Sequence, residues 1–485
     1  MKNGRVSLRG VSFVLFSFQA VFLWTDRLIY LLLFLVVGLT FYISRHEHLL
    51  APWRQIRRRP LAMSALVVLL FYIGIGLLDS VHFRKALPTT DAAQEIQYDP
   101  EVLSLLDVIL GPLKNNVERS YSAPLASQAF SKEMIEAADG SQHRAYPRLK
   151  FGGAHLETPE TERTSDIFSI VNKRLFSGLL IWSLISMLFV LILAQRHRKP
   201  AKEMLGNIWR GETQTAWRSI LFTAALLFLL VGVLAPLSVK YHLFGTDKVG
   251  QDVLYMALKG IRTGLVIGTL TTLVMLPFGI FLGIAAGYFR GKTDDAIQYL
   301  YTTLSSVPGV LLIASAVLIL QIYMDKNAES FASITERADI RLMFLCLILG
   351  LTGWIGLCRL LRGETLKLRE MEYVQAARAL GVGPGRIITH HILPNVMHIV
   401  LIALVLDFSG LVLAEAVLSY VGVGVDPAMI SWGNMINSAR LELAREPVVW
   451  WSLTAAFVFM FVLVLSANVF SDAVRDAFDP RLRGR

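Results

Sequence analysis

Nine stretches of this chain are each long and apolar enough to cross a bilayer: 28–44, 61–79, 175–194, 219–238, 263–287, 299–323, 342–361, 396–420 and 450–471. A helix rises about 1.5 Å per residue, so about 20 residues cross about 30 Å of hydrocarbon. The expected fold class is therefore an all-α, polytopic membrane protein. A further stretch, 10–24, is apolar but short, and reads as a span, an interfacial helix or a signal-like segment. Only Thr25-Asp26-Arg27 separates it from the next run, which argues against a cleaved signal. The expected count is nine or ten helices, with ten preferred.

Composition agrees. The 485 residues are 54% apolar and 17% charged, where soluble chains carry about 25% charged residues. The net charge of +10 is accounted for by Lys and Arg beside membrane spans, and no nucleic-acid partner is expected. Cys346 and Cys358 lie twelve apart in one apolar stretch and read as packing residues on one helix, not as a disulfide or metal framework.

Basic residues orient the spans. Residues 45–59 hold Arg45, Arg54, Arg57, Arg58 and Arg59; 196–218 hold Arg196, Arg198, Lys199, Lys202, Arg210 and Arg218; 359–386 hold Arg359, Arg362, Lys367, Arg369, Arg378 and Arg386. The positive-inside rule makes all three loops cytoplasmic. They are mutually consistent, being separated by two spans and then four, and the tail Arg475 to Arg485 falls inside with them. If the N-terminus with Lys2, Arg5 and Arg9 is also inside, 10–24 must span. The polar segment 83–174 then lies outside, as a small folded domain or a loose loop, to capture substrate or to serve as spacer. Residues 195–217 read as a linker. They divide an N-terminal membrane extension, 1–204, from a C-terminal membrane unit, 205–485.

"AGYFRGKT" at 286–293 fits a relaxed phosphate loop, in which backbone N–H groups wrap phosphates, Lys292 reaches them and Thr293 holds Mg²⁺. Such a loop must follow a buried strand. Here it follows "TGLVIGTLTTLVMLPFGIFLGIA", a span, so it reads as a turn at the membrane surface and the chain has no ATP site. No H-E-x-x-H, G-x-S-x-G or Cys/His metal spacing occurs. His390 and His391 are adjacent and point apart on a helix, and His46 and His48 merely flank Glu47 in a basic loop. No catalytic residue, no bound cofactor and no metal are expected, so the chain is not expected to be an enzyme.

The informative stretch is 372–395, "EYVQAARALGVGPGRIITHHILPN". It reads as a helix over 370–380, a left-handed cap at Gly381, a break at Val382-Gly383 and a second helix opened by Pro384. Ala376 and Ala377 let another surface approach the backbone, Arg378 and Arg386 leave a basic face, and Pro394 re-enters the membrane. A compact elbow of this kind suits docking into a groove on a partner, though a plain surface loop is the simpler alternative.

This stretch resembles the "EAA" loop of ABC importer permeases, whose pattern is E-A-A, three residues, G, nine residues, I-x-L-P. Gln375-Ala376-Ala377, Gly381 and Leu393-Pro394 fall in register, while Gln375 replaces the Glu and His391 stands at the Ile position. "GTDKVGQDVLYMALKGIRTGL" at 245–265, "EAVLSYVGVGVDPAMISWGNMI" at 415–436 and "RDAFDPRLRG" at 475–484 resemble segments of the dipeptide, oligopeptide and nickel permease group, with Gln251 in place of an Arg. Together they cover about 205–485; residues 1–204 carry no such resemblance.

The resemblance implies a six-helix type I importer core with a coupling loop at 363–395, forming half of a translocation pathway for peptides or similar solutes in the bacterial inner membrane. It implies a second related permease, cytoplasmic ATPases that hold ATP and Mg, and an external solute-binding protein as partners, with membrane lipid around them. Gln375, Ala376, Ala377, Gly381, Leu393 and Pro394 would carry ATPase coupling. Asp407 and Glu415 lie inside the run 396–420, about 12 Å apart along one helical face. Intramembrane acids face cavities or partners, so both are candidates for the pathway, with Glu415 placed to receive a cationic group; a hydrogen-bonded structural acid is the alternative. An ion-gradient transporter would explain the spans and acids but not the elbow, and a membrane assembly or sensor protein would use 83–174 for sensing.

Overall fold

The computed structural model describes residues 18–87, 97–136, 142–327, 331 and 333–478. In chain order the elements are β1 (Phe18–Val21), α1 (Trp24–Ser44), α2 (Glu47–Arg58), α3 (Pro60–Asp79), β2 (His82–Lys85), β3 (Leu103–Ser104), α4 (Leu105–Ile109), α5 (Gly111–Asn115), β4 (Glu133–Glu136), β5 (Gln142–Ala145), α6 (Pro159–His197), α7 (Ala201–Arg210), α8 (Trp217–Lys240) and α9 (Val253–Phe289). There follow α10 (Lys292–Ser306), α11 (Gly309–Lys326), α12 (Ile334–Gly353), α13 (Ile355–Arg369), α14 (Glu372–Ala379), α15 (Pro384–Ile387), α16 (Leu393–Val421), α17 (Trp432–Glu442) and α18 (Trp451–Phe478). Nine helical segments among the described residues can cross a membrane: α1, α3, α6, α8, α9, α11, α12 with α13, α15 with α16, and α18.

Two expectations change. The run 299–323 is not one helix: it breaks at Val307-Pro308, and the crossing is carried by α11. Pro308 has no N–H to donate and disfavours helical backbone in the residue before it; Val307 is accordingly extended, at φ −90° and ψ 130°. The apolar stretch 10–24 does not form a single spanning helix. Residues 10–17 lie outside the described residues, and Phe18–Val21 form β1, paired antiparallel with β2 from Phe18↔Lys85 to Val21↔His82. A smaller difference concerns Cys346 and Cys358, which are both buried but sit on α12 and α13, either side of a helix break at Trp354.

The reason β1 turns away from a span lies at the start of α1. Arg262 of α9 is buried, and its guanidinium donates to Asp26 at 2.6 Å and to the Thr25 hydroxyl at 2.9 Å. Asp339 of α12 lies 3.5 Å from the same guanidinium and accepts from the Thr25 backbone N–H at 3.0 Å. His82 of β2 bonds Asp26 at 2.8 Å. One turn earlier on α9, Lys259 meets Asp79 at 2.7 Å and Asp107 at 3.0 Å. Buried charges persist only when paired, so these contacts fix α1, α3, β2 and α4 against α9 and α12. Apolar packing extends the attachment: Tyr72 of α3 is buried among Ile261, Trp451 and Ala455.

The three basic loops gather at one end of the bundle, and the segment after α3 at the other. At the basic end, Trp53 and Ile56 of α2 pack on Ala473, Val474 and Ala477 of α18, and Arg59 pairs with Asp476 at 2.6 Å. At the opposite end the segment made of residues 97–136 and 142–158 is folded, with short helices, strands and bridges. It lies over the 241–252 turn: the backbone N–H of Glu118 donates to the Gly250 carbonyl at 2.9 Å, and that of Thr246 to Ser122 at 3.1 Å. The buried Glu118 carboxylate accepts from the N–H groups of Lys150, Phe151 and Gly152 at 2.8–3.0 Å. His242 sits between Glu118, at 3.4 Å, and Asp252, at 2.7 Å.

Burial by itself would push the His242 imidazolium down, but its bonds to Asp252 and Glu118 outweigh that and raise it to about 9. Burial likewise opposes the Glu118 carboxylate, yet His242 and the three N–H groups hold it down to about 2. The histidine contribution is complete below its unfolded value of 6.5 and fades as pH rises through about 9; the glutamate contribution is complete above 4.5 and fades as pH falls towards about 2. Protection of amides 118–122 and 150–153, measured against their intrinsic exchange rates at each pH, is therefore expected to be highest between pH 4.5 and 6.5 and to fall above neutrality. In His242→Gln this alkaline loss of protection should disappear; its persistence would remove the imidazolium as the cause.

Candidate functional site

At the basic end the expected elbow forms. α14 carries Gln375, Ala376 and Ala377, and Gly381 closes it at φ +78°, with Gly381 N–H bonding Arg378 and Val382 N–H bonding Ala377, each at 3.1 Å. Only glycine takes this left-handed position without strain. Gly383 and Pro384 open α15, which leads through a π-helical turn, Ile388–Ile392, into α16. Leu393 and Pro394 occupy the first turn of α16, where a missing N–H costs nothing. α13 runs on to Arg369, so the elbow proper begins at Glu370.

The elbow is built on a core and bears an exposed tip. Val374, Ala377, Ile387 and Ile392 are buried against Ile284, Leu357 and Leu361. Ala376 faces outward with Gln375, and Leu380 is 83% exposed at the bend. Gln375 donates to the Glu370 carbonyl at 3.2 Å and lies 3.3 Å from its carboxylate. Thus the amide at this position ties the helix to its own entry.

"AGYFRGKT" is the brace of this elbow. It ends α9 and turns into α10, with no strand before it. Gly287 faces α13, and a methyl there would lie 2.6 Å from Thr365; it ends a stripe, Gly279, Gly283 and Gly287, along which α9 and α13 meet closely. Arg290 pairs with Glu370 at 2.6 Å. Arg369 donates to the Tyr288 carbonyl at 2.8 Å. Arg362 of α13 grips Asp294 of α10 through two bonds of 2.7 Å, the bidentate geometry that makes Arg–carboxylate pairs strong. None of these pairings is legible from the sequence, because each joins residues at least 68 apart.

The two intramembrane acids have different surroundings. Glu415 is buried and accepts from Ser419 at 2.7 Å and Ser431 at 3.0 Å. Ser431 caps α17 by accepting from Asn434 N–H at 3.0 Å, and Trp432 buries its ring beside Gly260 and Gly264 of α9 while donating to the Ala257 carbonyl at 2.9 Å. A methyl on Gly433 would stand 2.5 Å from the Glu415 carboxylate. The "EAVLSY…SWG" spacing thus seats α17 on α9 and α16. Asp407 is half-buried and has no hydrogen bond or ion pair among the described residues; next to it Leu406, Gly410, Leu413 and Val417 form an uncovered stripe of α16. Among the described residues no group of His, Cys, Asp and Glu has metal-binding geometry.

Arg362→Asp sets two carboxylates face to face and is expected to cost about 2 kcal/mol in local protection of the elbow. The exchanged pair, Arg362→Asp with Asp294→Arg, should regain most of it. Hydrogen exchange at 370–383 reads this directly, and equal protection in all three proteins would show that the pair does not hold the elbow.

Comparison with known proteins bears on what this arrangement serves. Residues 279–484 match the family described as binding-protein-dependent transport system inner membrane component. The oligopeptide transport system permease protein OppC of Bacillus subtilis (strain 168) is 32% identical over 244 residues, 50% of this chain and 73% of that protein. OppC of Haemophilus influenzae is 33% identical over 249 residues, 51% and 73% of the two chains. The dipeptide transport system permease protein DppC of Bacillus subtilis is 30% identical over 242 residues, 50% and 69%. A solved chain of the inward-facing MetNI methionine ABC transporter aligns over 46% of this chain and 97% of its own, at TM-score 0.34 and 15% identity, and adds nothing to the assignment. With nine segments among the described residues able to cross a membrane, a folded elbow at the "EAA" position and relatives of this closeness, the chain belongs to the inner membrane permease components of binding-protein-dependent ABC importers.

Proposed function

We propose that this chain forms half of the translocation pathway of a peptide importer. In this reading it pairs with a second permease, receives substrate from an external binding protein and is driven by ATP hydrolysis on partner subunits. The observation that carries the mechanism is the elbow: an exposed tip, Leu380 beside Ala376, on a buried base that is braced to α9, α10 and α13. The base cannot yield without moving those helices, since their side chains interlock. A push on the tip by a closing ATPase would therefore be delivered to the spans as a rigid-body displacement, which is alternating access. The chain supplies no ATP site; its "AGYFRGKT" turn transmits force.

Orientation follows from charge. The end that holds 45–59, 196–218 and 359–395, with the end of α18, faces the cytoplasm, and the folded residues 97–136 and 142–158 face outward. Residues 205–485 act as the permease domain with its coupling loop at 363–395, and 1–204 as an extension clamped to it through Arg262 and Lys259. Between the acids, we assign Asp407 to the pathway or the partner face and Glu415 to holding α17, because the Glu415 carboxylate is enclosed by two serines and Gly433.

Replacing Leu380 by Arg puts a charge where an apolar side chain would enter a groove. Loss of such an anchor costs at least about 2 kcal/mol, or about thirtyfold in affinity. The variant is expected to reach the membrane normally but to lose ATPase subunits on purification in mild detergent. Retention of those subunits at wild-type ratio would sink the coupling role.

Asp407→Asn should lower ATP-dependent uptake of peptides about tenfold with assembly intact, the size expected for one charged hydrogen bond. Glu415→Gln keeps an acceptor for both serines and should change uptake little. The reverse ranking would transfer the pathway role to Glu415.

A further inference from the structure

A groove of about 730 Å³ lies away from the elbow, between α6 and α8. Trp182, Met187 and Phe222 line it, and Ser64 of α3 forms part of its floor. The wall is apolar except for serines and one charge, Arg218, at its basic end. That guanidinium reaches the Trp209 carbonyl at 3.3 Å and pairs with no carboxylate among the described residues. α7 lies across the same end. It buries Met204 and Ile208 against α6 and α8, yet leaves Leu205 51% and Trp209 75% exposed beside the groove. An amphipathic helix with a bare tryptophan and leucine on one edge fits the level where headgroups meet acyl chains.

The other flank of α7 strengthens the case for an anion. A second pocket there, about 590 Å³, is lined by Arg57, Arg196 and His197, none of which has an ion-pair partner among the described residues. Glu212 also lines it, and Lys199 is already paired with Glu203 at 2.6 Å. The frame is rigid: the Ala216 N–H donates to the Arg57 carbonyl at 2.8 Å, and the Lys199 and Glu212 N–H groups close the ends of α6 and α7. Two carboxylates face a larger set of cations, so the surface around α7 carries a positive field that an anionic headgroup would neutralise.

We propose that this groove is a binding site for one anionic phospholipid, with its phosphate on Arg218 and an acyl chain laid between α6 and α8. A free phosphate would find the cation but leave the apolar groove empty, and a zwitterionic lipid would fill the groove without answering the surplus charge. The site sits wholly on the 1–240 part of the chain and is independent of the elbow.

The full chain, purified in mild detergent, should be titrated with phosphatidylglycerol, with phosphatidylcholine of the same acyl chains, and with glycerol phosphate, following its melting temperature. Phosphatidylglycerol is expected to raise the melting temperature at lower concentration than phosphatidylcholine, and glycerol phosphate to do nothing. Arg218→Gln should weaken the phosphatidylglycerol effect about fivefold, the share of one surface cation, while Arg218→Lys keeps most of it. Ser186→Trp, which fills the groove and spares the cation, should abolish protection by both lipids. The proposal is overturned if the two lipids protect equally, if Arg218→Gln titrates like the parent, if glycerol phosphate alone protects, or if the groove is found occupied by a partner's helix in the purified assembly.

Discussion

A chain crossing hydrocarbon has no water to take its backbone polar groups, so every N–H and C=O must be satisfied within the protein. That constraint fixes the helices. It also makes any charge carried into the bundle dependent on a partner. Arg262 is where this matters most. Its guanidinium is buried on α9 and is answered by Asp26 of α1 and Asp339 of α12. Removing one member of a buried ionic set costs about 3–5 kcal/mol, because the remaining charges stay desolvated. The N-terminal helices are therefore part of the same rigid bundle as the core they lean on, and β1 is held at the end where His82 reaches Asp26.

α9 packs against α3, α10, α12, α13, α16 and α18 among others, and it does so through different chemistry along its length. At one end it offers Lys259 and Arg262 to acids from four other elements. Interleaved with these cations, Gly260 and Gly264 make room for Trp432. At the far end Gly279, Gly283 and Gly287 bring α13 close, as small residues do between helices in lipid. The elbow stands on that last contact. Its buried side chains and the Arg290–Glu370 pair join it to the end of α9, and Arg362 and Arg369 tie α13, from which it springs, to α10 and α9, so displacement of the tip and displacement of the spans are one motion.

The sequence carried this protein's class and its signature segments because those depend on local chemistry. Apolar runs give the spans, basic loops give their shared end, and Gly381 with Pro384 gives the elbow its break. The "EAA" register placed Gln375, Ala376 and Ala377 on one short helix. Leu380 stands outside that register, and the one local signal for its exposure is its place at the bend before the left-handed Gly381. The run 299–323 is apolar enough to read as one helix, and the break within it comes from Pro308 alone.

What the sequence alone determined is the position of most spans, the elbow's shape and the membership that its motifs imply. Tertiary structure decided the pairings: that "AGYFRGKT" braces the elbow, that Glu415 is enclosed while Asp407 has no partner among the described residues, that residues 118–122 lie over the 241–252 turn, and that α1 is held to α9 by Arg262. The physical reason is range. Periodicity, capping and positive-inside bias act within a few residues or at a span's own ends, whereas the ionic and glycine contacts join residues far apart along the chain. Only packing brings such residues within reach of one another.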